Sequence, residues 1–196
     1  MSLRIELMRI DAGTRLGARM LFFEPILIAS AMLLFPTILF SPPLPGWLAP
    51  VFLVGSALLR VGAGWWLHSA PSLRERRRSV LIADVVYAAG VLLWVDAVVA
   101  PLPLPLPKRT LLLYTYWIWI VVGGSAGPAL LAPTVARIAR IAGEETVAKN
   151  LQLTQWLLAV GTGLAFLGLW WALLLVLIAC LFARRQLVKV LTRGRR

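Results

Sequence analysis

The chain holds one cysteine (Cys180), one histidine (His68) and eight acidic residues in a length of 196. A single cysteine excludes an internal disulfide, and one cysteine with one histidine excludes a Cys/His metal cluster. Charged residues make up 14% of the chain, against about 25% in ordinary globular domains. So few charges cannot cover the surface of a soluble domain of this size. Signatures of dinucleotide-binding loops, phosphate-binding loops and zinc proteases are absent as well. What is present in excess is apolar: 60% of the residues, for a mean hydropathy of +0.85. That excess excludes disorder and indicates an all-α, polytopic integral membrane protein.

Five apolar blocks are long enough to matter: 21–40, 50–70, 80–100, 110–133 and 153–182. About 20 helical residues cross the ~30 Å hydrocarbon layer, and the first three blocks fit that length. A signal peptide competes for the first, but the block is longer than a signal core and is followed by no A-x-A site, so an uncleaved first span is expected. Block 110–133 carries Gly123, Gly124, Gly127 and Pro128, which weaken a helix. Block 153–182 is too long for one upright span and too short for two. The expectation is therefore about five transmembrane helices, the last two irregular or re-entrant. Two short interfacial amphipathic helices are expected beside them, one within residues 1–20 and one over 135–150, where Val135, Ile138 and Ile141 recur at spacing three. Three parts follow: an interfacial N-terminal helix (1–20), a single transmembrane domain (21–182) and a basic C-terminal tail (183–196). The Pro-Leu segment 101–109 reads as an extended polyproline spacer.

Twenty Lys and Arg against eight Asp and Glu leave a net charge of +12. In a membrane protein such a surplus reports orientation. Placing the N-terminus in the cytoplasm also brings in the positive residues of RERRR (74–78) and leaves 41–49 outside with no charge. The expected location is the cell membrane, multi-pass, with a cytoplasmic N-terminus; in a bacterium this is the inner membrane. Five plain spans put the C-terminal positive residues outside, whereas a fold-back at Gly123-Gly124 brings them in. The charge rule favours the fold-back, and the rarity of re-entrant segments favours plain spans.

Ionisable residues within the spans are the functional candidates: Glu24, Arg60, Asp84 and Asp96. Arg60 lies too deep to reach water alone and needs a carboxylate partner. Asp84 and Glu24 suit inward snorkelling, and Asp96 suits outward. A register-fixing ion pair and an ion or substrate path would use the same contacts. Gly123-Gly124-Ser125-Ala126-Gly127 matches the nucleophile-elbow pattern, but the sole candidate base, His68, lies at a different depth. The plainer reading of Gly123, Gly124 and Gly127, and of Gly161 and Gly163, is close helix packing. His68, after Trp65-Trp66, suits an interfacial belt; ligation of a pigment or haem is the sharper alternative, and no cofactor is otherwise implied.

The partners expected are membrane lipids, including anionic headgroups at the basic segments, together with other membrane subunits or a second copy. Nucleic acid is not expected, for want of any accompanying motif. The leading functional expectation is a small non-catalytic subunit that stabilises a larger membrane complex. The alternative is a small transporter or channel component using Arg60 with Asp84, Asp96 or Glu24.

Overall fold

A computed structural model describes residues 12–40, 48–68, 73, 76–99 and 106–193. Six helices follow in order: α1 (Ala12–Phe40), α2 (Leu48–Leu67), α3 (Arg77–Val99), α4 (Leu106–Ile141), α5 (Glu145–Phe166) and α6 (Trp170–Arg193). No strand occurs among the described residues. Five of the helices contain stretches long and apolar enough to cross a membrane: Ala12–Leu34, Leu48–Leu67, Arg77–Asp96, Thr110–Ile141 and Trp171–Thr192. The remaining helix, α5, has 22 residues, which at 1.5 Å each span about 33 Å. Its first half carries Glu145, Lys149, Asn150, Gln152 and Gln155, which lower its hydropathy.

Neighbours in sequence pack side by side and antiparallel. Gly17, Gly62 and Gly55 set the α1–α2 contact, meeting Leu67, Met20 and Leu27 respectively. Gly90 approaches Ile120, and Gly123 approaches the backbone of Ala83 and Tyr87, which joins α3 to α4. Ala18 and Leu21 of α1 share a cluster with Leu187 and Leu191 of α6, while Ile28 and Met32 lie with Leu177 and Leu173. The order ascends in one helix and descends in the other, so α6 closes back antiparallel on α1. The six helices thus form a closed up-and-down ring.

The two final turns are alike. Gly143 and Gly168 have φ of +80° and +89°, where a Cβ is strained. In each, the glycine N–H donates to a carbonyl three residues back: Gly143 to Arg140 at 2.9 Å and Gly168 to Ala165 at 3.0 Å. The next N–H reaches five back, Glu144 to Ala139 at 3.0 Å and Leu169 to Leu164 at 3.1 Å. Both are Schellman caps, in which a left-handed glycine satisfies the last helical carbonyls.

These caps revise the expected C-terminal half. Block 153–182 is a hairpin that turns at Gly168 rather than one irregular span. Residues 135–150 are not a surface helix: they hold the end of α4, the Gly143 turn and the start of α5. Val135 and Ile138 are fully buried, because the stripe at spacing three faces the ring interior. The fold-back at Gly123-Gly124 is absent, since α4 runs unbroken for 36 residues with Pro128 and Pro133 inside it. At the other end of the chain, α1 shows no break at residue 20, because Gly17, Ala18 and Leu21 pack inward continuously. The segment 183–193 continues α6 rather than forming a tail. Residues 106–109, expected to be extended, instead form the first turn of α4, where Pro107 sits at a position that needs no helical N–H donor. Residues 1–11, the tip 194–196 and the Pro-Leu positions 101–105 lie outside the described residues.

Candidate functional site

The two ends of the ring differ. At the end bearing His68, all six helices contribute to one cluster that includes Ala18, Leu67, Val80, Ile138, Leu151 and Leu187. Towards the opposite end the helices enclose a chamber of about 770 Å³, within the usual range for small-molecule sites (roughly 300–1,000 Å³). Every helix supplies part of its wall: Met32, Leu53, Tyr87, Val121, Thr162 and Leu173 are examples. Trp94 and Trp117 also line it, with ring centroids 6.0 Å apart and planes at 29°. Thr110 and Tyr114 line it and are exposed, so the chamber reaches the surface there. Its inner end is polar, formed by Glu24 and Arg60.

Arg60 is 5% exposed and bonded on several sides. Its Nε donates to Asp84 Oδ1 at 2.7 Å, and Nη2 donates to the carbonyls of Gly123 at 2.9 Å and Gly124 at 3.5 Å. The guanidinium lies 4.6 Å from the Tyr87 ring centroid, a cation–π distance. Nη1 stands 3.8 Å from Glu24 Oε1, too far for a hydrogen bond. The other oxygen, Glu24 Oε2, accepts from Arg184 Nη1 at 2.5 Å. Arg184 also donates to the Leu21 carbonyl at 2.7 Å and to Gln155 Oε1 at 3.3 Å. The layer therefore runs Asp84–Arg60–Glu24–Arg184–Gln155, alternates in sign, sums to zero and touches all six helices.

Local sequence explains why α4 admits this layer. Pro128 has no N–H, so the carbonyl four residues earlier, that of Gly124, loses its helical donor. Arg60 reaches across from α2, its Nη2 bonded to the Gly123 carbonyl at 2.9 Å and turned towards the freed Gly124 carbonyl at 3.5 Å, the outer limit of a hydrogen bond. Gly127 provides the room: a Cβ there would fall on the Arg60 guanidinium and the Asp84 carboxylate. Gly64 on α2 has the same relation to Asp84 Oδ2, at 2.7 Å.

Comparison with known proteins returned no matching family model, no matching curated protein and no matching solved structure. The site is read from its geometry alone.

Three of the four intramembrane charges named from sequence, Glu24, Arg60 and Asp84, meet in this layer. Asp96 does not: it is exposed near the end of α3. Gly123, Gly124 and Gly127 lie at close helix contacts, whereas Gly161 has ordinary spacing and Gly163 has no neighbour within 4 Å. Ser125 sits mid-helix on α4 and is not on a strand-to-helix elbow. His68 faces Thr134 instead, nine residues further along α4 and about 13 Å away by helical rise.

His68 is fully buried. Its Nδ1 lies 2.8 Å from the Gly64 carbonyl, which can only accept, so Nδ1 carries the proton. Nε2 lies 3.2 Å from the Thr134 hydroxyl and accepts from it. Both ring nitrogens are engaged, which leaves no lone pair for haem or pigment. Burial, opposed by the Gly64 bond and aided by Arg77, lowers the imidazole pKa below 6.5.

Sequence reasoning missed Arg184, Gln155 and Tyr87. Arg184 had a readable signal. Leu173, Leu177, Cys180, Arg184, Leu187 and Leu191 follow spacings of four and three along α6, so the arginine occupies a position of the buried stripe.

Proposed function

We propose that the protein is a small membrane carrier that binds an amphipathic molecule in its central chamber. The observation that carries this reading is the chamber itself: all six helices wall it, and it ends on the charged residues Glu24 and Arg60. Apolar walls with a few convergent polar groups are the usual form of a ligand site. A carrier also needs one end closed while the other is open. The packed cluster at the His68 end and the exposed Thr110 and Tyr114 at the other match that asymmetry.

In this reading α5 crosses the membrane with the other five helices, giving six spans in the cell membrane and both termini in the cytoplasm. The sequence supports it. Sixteen of the twenty Lys and Arg then flank the cytoplasmic ends, in segments 1–20, 74–78, 137–149 and 185–196. Lys108 and Arg109 stand outside, and Arg60 and Arg184 lie within the layer. This bias is far stronger than a five-span arrangement allows. The cytoplasmic positive residues would also meet anionic lipid headgroups. No enzymatic role is proposed: Ser125 sits mid-helix, and His68 is bonded to Gly64 and Thr134 instead.

The competing reading is a non-catalytic subunit that stabilises a larger membrane complex. Cysteine accessibility separates the two, in a Cys180→Ser background with Val121→Cys in the chamber wall and Ala132→Cys in the closed end. For a carrier, a membrane-impermeant methanethiosulfonate labels Val121→Cys from one side. It also labels Ala132→Cys, more slowly, from the other. Labelling of neither from either side, with recovery only in a larger complex, would establish the subunit.

A further inference from the structure

We infer that the chamber's ligand is a neutral amphipathic lipid with a hydroxyl head, seated between Arg60 and Glu24 at the inner end. This rests on the carrier reading and specifies what is carried. Two observations lead to it.

The first concerns hydrogen bonding. Glu24 Oε1 is buried and has no hydrogen-bond partner, although Glu24 is only 1% exposed and lines the chamber. Leaving a buried carboxylate oxygen unsatisfied is costly, more so at membrane depth. Arg60 Nη1 faces it from 3.8 Å away. The gap matches a single bridging oxygen: an atom about 2.8 Å from each bonds both at once. That atom must donate to the carboxylate and accept from the guanidinium. A hydroxyl does both with one oxygen. A ketone or ester carbonyl can only accept, and an ammonium can only donate.

The second observation concerns charge. Arg60 and Arg184 balance Glu24 and Asp84, and each ion already has a partner of opposite sign. A carboxylate or phosphate head would bring an uncompensated charge into a low-dielectric layer. A neutral head leaves the balance intact. Above it, Met32, Leu53, Val91 and Leu173 offer apolar wall, with the Trp94–Trp117 pair beside them. Such a wall accommodates a hydrocarbon or ring body.

The test uses the full chain in lipid nanodiscs and follows the part of the quenching that is lost in Trp94→Phe/Trp117→Phe, which separates these two from the other seven tryptophans. Three brominated long-chain probes of equal length are compared: a primary alcohol, the carboxylate at pH 8, and the hydrocarbon. The expected result is half-maximal quenching by the alcohol at a concentration roughly tenfold below that of either other probe. That preference should vanish in Trp94→Phe/Trp117→Phe, which removes the reporters, and in Met32→Phe/Val121→Phe, which fills the chamber above an unchanged charge layer. Equal quenching by alcohol and hydrocarbon would overturn the hydroxyl inference and leave the chamber as a binding site. Preference for the carboxylate would overturn the neutrality argument. Quenching by every probe that persists unchanged in the filled chamber would overturn the carrier reading together with this one.

Discussion

The two ends of the ring are made of the same helices, yet one is solid and the other hollow. At the His68 end, small residues bring backbones together: Gly17 meets Leu67 and Ala63, and Ala139, Ala148 and Ala183 fill the interior. Towards the Thr110 end, bulky Trp94, Leu113, Trp117 and Ile120 stand around an open space. Residue size along each stripe, more than overall hydropathy, separates a packed plug from a chamber. The charge layer lies at the boundary.

The largest predicted effect tests that boundary. Gly127→Leu forces a side chain into the Arg60–Asp84 pair, so monodisperse protein should be lost altogether on size-exclusion chromatography. Asp84→Leu comes next. It leaves Arg60 buried without its closest carboxylate, and should cost about 3–5 kcal/mol, read as a drop in Tm. The double variant Arg60→Leu/Asp84→Leu should recover part of that loss, and no recovery would mean that the pair does not act as a unit.

Third, the ends themselves can be compared by truncation. Ile138→Ala in the plug should cost about 2–5 kcal/mol. Leu113→Ala on the chamber wall already borders empty space, so it should cost less than about 1 kcal/mol. Equal losses would erase the distinction between plug and chamber.

Fourth, acidification should weaken the plug through His68. The folded imidazole titrates below its ordinary value, so between that lowered pKa and about 6.5 the unfolded chain binds a proton that the folded chain does not. Stability from this group is therefore complete above that window and falls as pH drops through it, by at most about 1.4 kcal/mol per pH unit. The Tm difference between His68→Asn and the unsubstituted chain, compared at pH 7.5 and 5.5, measures it. The smallest effect is expected at Asp96, exposed and outside the layer: Asp96→Asn should stay within about 0.5 kcal/mol.

Much of this architecture was legible beforehand. Composition indicates membrane helices, and three spans follow from block length. What escaped was local. The Gly143 and Gly168 turns depend on a left-handed backbone, which apolar periodicity does not register, so the last hairpin reads as an irregular block. The continuity of α4 escaped for another reason: Gly123, Gly124 and Pro128 weaken a helix considered alone, whereas the remedy comes from Arg60, 68 positions earlier than the proline. Within the site, depth counting offers Arg60 two partners on its inner side, Glu24 and Asp84, and one on its outer side, Asp96; helix packing, which depth does not register, selects the inner pair. Arg184 hides among the basic residues of 184–196, and only its place on the α6 stripe distinguishes it.

The bonds from Arg60 to the Gly123 and Gly124 carbonyls also tie together α2 and α4, two helices that are not neighbours in the ring. A rigid movement of either helix must carry the other with it or strip a buried carbonyl of its donor, so this side chain acts as a strut across the ring.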